Sequence, residues 1–164
     1  MIMTDRIVWA PWRAAFILGK KEKGCVFCNR LKKKDTLKNL ILYRGKTCFV
    51  ILNKFPYNTG HSMVVPYRHI SQLERLSQQE ATEFFDLTRT TVTITKKALK
   101  PFALNLGMNL GRSAGAGIPG HLHMHIVPRW PGDTNFMPVV GKTHVISIPL
   151  EPAYKALKAE FDRL

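Results

Sequence analysis

The chain has 164 residues, of which 45% are hydrophobic, 22% charged and 10% aromatic, values that exclude wholesale disorder and fit one globular domain with a real core. Lys+Arg 25 against Asp+Glu 11 leave a formal charge of +14, which draws anions: nucleic acid, an acidic membrane surface or phosphorylated small molecules. No apolar run approaches the ~20 residues of a membrane span, Asp5, Arg6 and Arg13 break up any signal-peptide core in Met1–Ala15, and three cysteines are too few for a disulfide scaffold, so the expected location is the cytoplasm.

Residues 1–24 read as an arm, with Trp9-Ala-Pro-Trp12-Arg13 followed by Lys20-Lys21-Glu22-Lys23. Two tryptophans so close together suit packing onto the body or onto a second subunit. Lys32-Lys33-Lys34 reads as a solvated loop. Asn39–Arg44 and Thr47–Asn53 have strand character and are parted by a Gly45-Lys46 turn, the pattern of a hairpin. Residues 53–60 form a loop, and His61–Pro66 is a third strand. Ser77-Gln-Gln-Glu80 is a capping box. Behind it Phe84, Leu87, Thr91, Ile94 and Ala98 recur at helical spacing. The spacing predicts a helix over 78–99, stopped by Lys100-Pro101.

Phe102–Leu110 is a strand candidate, Gly111–Gly120 a glycine-rich loop and Gly120–Pro128 a further strand. Thr143–Ile148 is a possible short strand. Glu151-Pro152 opens an amphipathic C-terminal helix, with proline at a tolerated early position. Strands outnumber helices and most connections are short. The predicted class is α+β, an antiparallel sheet with one main helix packed on it.

The sharpest feature is His121-Leu-His123-Met-His125-Ile-Val. On a strand, alternate side chains share a face. The three histidines therefore form one imidazole face, with Leu122, Met124 and Ile126 behind. Two chemistries can use such a row. Three imidazoles can converge on a catalytic zinc. Alternatively, one neutral imidazole attacks phosphorus and passes the group to a second acceptor. The adjoining Gly111–Gly120 loop is poor in side chains and rich in N–H groups, so it can cradle a phosphate chain. It lacks the Gly-Lys-Ser/Thr ending of a Walker loop. Arg112 is its charged candidate.

The alternating histidines, with the hydrophobic residues between and after them, resemble the signature of the histidine triad (HIT) superfamily of nucleotide hydrolases and transferases. Asn53 with Gly60-His61-Ser-Met-Val-Val-Pro66, and Asn105-Leu-Gly-Met-Asn109-Leu-Gly, resemble the family's flanking elements. His125-Ile-Val-Pro-Arg129-Trp130, then Gly132-Asp133-Thr-Asn135-Phe136, is similar to the branch that holds bacterial diadenosine tetraphosphate (Ap4A) phosphorylases. The resemblance covers about residues 25–137, within a single domain of arm (1–24), core (25–137) and C-terminal extension (138–164). It implies an antiparallel sheet of about five strands, one long helix and a C-terminal helix.

It also implies roles. His123 would be the nucleophile, and His125 and His61 would bind phosphate oxygens. Asn53 would bind ribose, and Asn109 would contact phosphate or the nucleophile's surroundings. Arg112, Gly117, Ile118 and Trp130 would complete the substrate site. Gly117 departs from the glutamine that many HIT hydrolases carry there. A glycine leaves room for phosphate as the acceptor. The implied substrates are a dinucleoside polyphosphate and inorganic phosphate, with no catalytic cofactor, no membrane and a homodimer as the assembly. Alternatives are a HIT hydrolase, a nucleoside phosphoramidase or adenylyl-sulfate-type enzyme, and a basic nucleic-acid-associated protein. No helix-turn-helix, RRM or zinc-finger pattern supports the last.

Cys25-Val-Phe-Cys28 admits three readings on its own: a redox pair, half of a zinc site, or two buried thiols. His69 is available as a further ligand. The resemblance to HIT relatives and galactose-1-phosphate uridylyltransferases implies a structural zinc held by Cys25, Cys28, His69 and His121. Cys48, inside a strand, reads as core.

Overall fold

Five strands form one antiparallel sheet in the order β1-β2-β3-β5-β4: β1 (Ile41–Arg44), β2 (Cys48–Leu52), β3 (Ser62–Pro66), β4 (Ala103–Gly107) and β5 (Met124–Arg129). Among the described residues three α-helices accompany them: α1 (Val26–Leu31), α2 (Gln78–Leu99) and α3 (Leu150–Phe161). The computed structural model describes residues 23–134, 146 and 148–164. The tryptophan arm and most of the strand expected over 143–148 lie outside the described residues. Among the described residues no helix is long and apolar enough to cross a membrane.

The β1–β2 hairpin closes where the Gly45-Lys46 turn predicts, with Gly45 N–H donating to Cys48 O at 2.8 Å. Glu83 of α2 clamps this turn. Its carboxylate accepts from Lys46 N–H (2.6 Å), from Thr47 N–H and from the Thr47 hydroxyl. A Cβ at Gly45 would run into Glu83 Oε1. The turn is thus a glycine because a helix carboxylate occupies the side-chain space.

Helix α2 spans the predicted 78–99, and the capping box is complete. Ser77 Oγ accepts from Glu80 N–H at 3.2 Å, and Glu80 Oε2 accepts from Ser77 N–H at 2.8 Å. Phe84, Leu87, Thr91 and Ile94 are buried against the sheet. The helix ends at Lys100, which takes the left-handed conformation at φ 48° before Pro101. Helix α3 lays Ala153, Tyr154, Leu157 and Phe161 against β1 and α2.

One expectation needs correction. Strand β5 begins at Met124, not Gly120, so His121 and His123 precede it. The β3–β5 register runs Ser62↔Ile126, Met63↔His125 and Val64↔Met124. Continuing it would set Pro66 opposite Leu122, and proline has no N–H to give the ladder. The freed Pro66 carbonyl instead meets the His121 ring. The imidazole face is itself buried. His121, His123 and His125 are as buried as Leu122, Met124 and Ile126. Helix α1, which carries no periodic signal in its six residues, places Phe27 over the row. Its ring centroid lies 5.3 Å from His121 and 5.2 Å from His123.

Glu80 joins the fold to the site. It accepts from Arg68 Nε (2.9 Å) and Nη2 (2.7 Å), fixing the segment that carries His69 and Ile70. The Arg68 guanidinium and the Ser77 cap hold the Glu80 carboxyl at about 2, below its usual 4.5. A depressed carboxyl stabilises the fold fully above its unfolded value and loses that effect as pH falls toward the folded value. Glu80→Gln should therefore lower the urea midpoint at pH 6, with the gap to wild type closing between pH 4.5 and about 2. A gap that stays constant across that range would contradict this role.

Candidate active site and metal cluster

Each imidazole of the site has a partner that fixes its tautomer. His123 Nδ1 lies 2.8 Å from the His121 carbonyl. A carbonyl can only accept, so Nδ1 carries the proton and Nε2 keeps its lone pair. His61, at the start of the β3 segment, is read the same way. Tyr57 N–H donates to its Nδ1 at 3.0 Å, with the Asn53 amide nitrogen at 3.3 Å. His61 therefore carries its proton on Nε2 and donates it to His125 Nδ1 at 2.9 Å. That leaves His125 protonated on Nε2.

The result is a lone pair on His123 beside an N–H on His125, on rings whose centroids are 4.7 Å apart. Burial, with His125 and His123 nearby, pushes His61 down to about 3. Burial likewise takes His125 to about 4 and moves His123 downward. All three imidazoles are neutral at pH 7. The site can bind phosphate oxygens by N–H donors and offer an uncharged nitrogen nucleophile.

His121 belongs to a different constellation. Its Nδ1 lies 3.2 Å from Cys25 Sγ and 3.7 Å from Cys28 Sγ, and His69 Nδ1 lies 3.5 Å from Cys28 Sγ. All four ligand atoms lie within 4.8 Å of one another. Tetrahedral zinc bonded at about 2.0–2.3 Å separates its ligands by roughly 3.5 Å, so the set fits. The tautomer fits too. His121 Nε2 donates to Pro66 O at 2.9 Å, leaving Nδ1 for a metal. The triad therefore does not converge on one ion. His121 turns to the cysteines, and His123 and His125 turn to His61. The three cysteines are free thiols.

The remaining expected residues are distributed as follows. Asn53 lies against His61, and its carbonyl oxygen accepts from Phe55 N–H at 3.0 Å. Asn109 is half-buried just after β4, whose Gly107 pairs with His125. Ile118 packs on the core. A Cβ at Gly117 would meet open space, so packing does not demand glycine there. Arg112 is exposed. Trp130 is half-buried, and its backbone N–H donates to Asp133 Oδ2 at 2.9 Å.

Two residues in the site, Phe27 and Asn58, escaped the sequence reading, and Tyr57 packs beside the histidines as well. Phe27 covers two of the histidines. The Tyr57 ring lies 4.6 Å from His61 and 5.6 Å from His125. Asn58 bonds to Asp133 across 75 positions. The only signal for them was position, inside motifs already singled out.

A family model described as the HIT domain matches residues 34–132. An AP-4-A phosphorylase of Mycobacterium tuberculosis is 43% identical over 124 residues, covering 76% of this chain and 64% of that protein. This chain thus spans less than two thirds of that relative's length. An asymmetrical bis(5'-nucleosyl)-tetraphosphatase of Schizosaccharomyces pombe is 33% identical over 93 residues, covering 57% of this chain and 50% of that one. The structure of a Zn-bound histidine triad family protein of Mycobacterium smegmatis shares the fold, with a TM-score of 0.67 at 21% identity over 85% of this chain and 94% of that one. The family match covers more than half of the residues and includes His61, His69 and the whole triad: the chain belongs to the HIT family.

Proposed function

We propose that the protein transfers a nucleotidyl group from dinucleoside polyphosphates through a covalent nucleotidyl-histidine on His123, with inorganic phosphate as the acceptor. The observation that carries this reading is the His123 Nδ1–H bond to the His121 carbonyl, which leaves Nε2 as a buried, neutral nucleophile. With Ap4A, Nε2 attacks the α-phosphorus and forms a P–N bond. The P–O bond to the leaving ATP breaks, and His125 Nε2–H steadies the charge on the phosphate oxygens. A phosphate oxygen then attacks the same phosphorus, the P–N bond breaks and ADP departs. Asn53, Asn109, Arg112, Gly117, Ile118 and Trp130 complete the substrate site in this reading. The name of the M. tuberculosis relative supports phosphate as acceptor. The similarity to the fission yeast tetraphosphatase favours a second reading, with water in that place.

Zinc at Cys25, Cys28, His69 and His121 has a structural role in this account. It would tie α1 and the 67–70 segment to the residue whose carbonyl orients the nucleophile. Free thiols suit a reducing compartment, the cytoplasm. Phe102 is 80% exposed, and Leu106 and Leu110 are each 49% exposed, on or beside the outer strand β4. An apolar edge of this kind supports pairing with a second copy.

Product analysis of Ap4A with and without phosphate tests the reaction. ATP and ADP should form only with phosphate, and His123→Ala should lower turnover by roughly three orders of magnitude or more while the fold persists. AMP released equally without phosphate would transfer the assignment to hydrolysis. No turnover of Ap4A, or a His123→Ala variant near wild type, would overturn it. Metal analysis should find one zinc per chain. Chelation, or Cys28→Ser, should lower the thermal midpoint while the folded enzyme stays active. Immediate loss of activity without unfolding would instead make the metal catalytic.

A further inference from the structure

The carboxylate of Asp133 collects four hydrogen bonds. It accepts from Asn58 Nδ2 (2.7 Å), from Arg129 Nε (2.7 Å) and Nη2 (2.8 Å), and from Trp130 N–H (2.9 Å). Its side chain is only 8% exposed, and the adjoining guanidinium holds it ionised down to about pH 2. Arg129 uses another N–H on Asn105 of β4, at 2.9 Å. The network therefore joins β4 and β5 to the turn after β5.

Asn58 carries the connection toward the histidines. Its second amide hydrogen goes to Pro128 O at 3.0 Å, its side-chain oxygen accepts from Thr59 N–H at 2.9 Å, and its backbone carbonyl accepts from His61 N–H at 3.1 Å. The amide nitrogen thus pins the 53–60 loop to β5 and to the turn after it, while the side-chain oxygen braces the loop itself. The residue before it, Tyr57, donates its backbone N–H to His61 Nδ1. A buried imidazole adopts the tautomer that its fixed neighbours require, because the other would set lone pair against lone pair or leave a donor unpaired.

We propose that Asp133 is a positioning residue for the His61–His125 pair, acting through Asn58 and the Tyr57 amide. The carboxylate anchors the loop, and the Tyr57 N–H, with the Asn53 amide beside it, keeps the proton off His61 Nδ1. The His61 Nε2–H then keeps the proton off His125 Nδ1, so His125 presents N–H toward phosphate. This rests on the nucleotidyl-transfer reading for what His125 does, but not for which nitrogen holds its proton. Asp133 touches no reacting atom. Its effect is on which hydrogen-bonding face the pair shows.

The test compares wild type with Asp133→Asn, which keeps the shape, and Asp133→Ala. Long-range proton–nitrogen NMR of the imidazoles reads the tautomers with no substrate present. Steady-state kinetics with Ap4A and phosphate supply the second readout. Wild-type His61 and His125 should both show the Nε2–H pattern, and both variants should show a mixture. For Asp133→Ala, kcat should fall between about tenfold and a hundredfold with KM within about twofold of wild type, and Asp133→Asn should lie between. Unchanged tautomers in folded Asp133→Asn would overturn the proposal, even with kcat reduced. So would wild-type kcat in both variants. If wild type turns over no Ap4A, the functional reading falls and the tautomers alone decide the role of Asp133.

Discussion

The hydrogen bond from His123 Nδ1 to the carbonyl two residues before it, at 2.8 Å, sets the direction of the whole site. An imidazole has two nitrogens, and only one can hold the lone pair in the neutral ring. Rotating the ring would leave a buried carbonyl unpaired, at a cost of about 1–3 kcal/mol. The carbonyl must itself stay put for this to work. His121 is held at its side chain on both nitrogens, by Pro66 O on one side and the two cysteine sulfurs on the other. The break in the β3–β5 ladder at Pro66 is part of the same arrangement. A continuous strand would spend on strand pairing the carbonyl that here fixes His121.

Two chains of partners thus meet on neighbouring rings. One runs from the cysteine cluster through the His121 backbone to His123. The other runs from Asn53 and Tyr57 through His61 to His125. Both end on neutral imidazoles, because burial lowers each of them. The neutral triad carries no positive charge. In the proposed reaction, attraction for a polyphosphate would come from N–H dipoles, from the glycine-rich loop and from the +14 field of the chain.

Much of this was legible in the sequence where the signal is local. Ser77 and Glu80 stand three apart and cap α2 as the pattern requires, and Gly45-Lys46 closes the hairpin. The partition of the triad came from the family resemblance; in the structure His121 lies against the cysteines, and His123 and His125 lie side by side. Helix α1 was not legible. Six residues cannot show a helical period, and Phe27 is recognisable as a lid only once its distances to the histidines are known. The start of β5 was misread because alternation continues through His121 while the partner strand ends in a proline. Asn58 and Asp133 are far apart in sequence and have no shared pattern. Their bond exists only because β5 and the loop before β3 lie side by side.

A covalent bond between His123 and phosphorus is the proposed intermediate, and the stereochemistry at that phosphorus tests it most directly. A dinucleoside tetraphosphate made chiral by sulfur at the α-phosphorus would be converted, and the configuration of the nucleoside thiophosphate product determined. Two successive in-line displacements, by His123 and then by the acceptor, predict net retention. Net inversion would mean a single direct displacement, with no nucleotidyl-histidine, and would contradict the role assigned to the His123 lone pair.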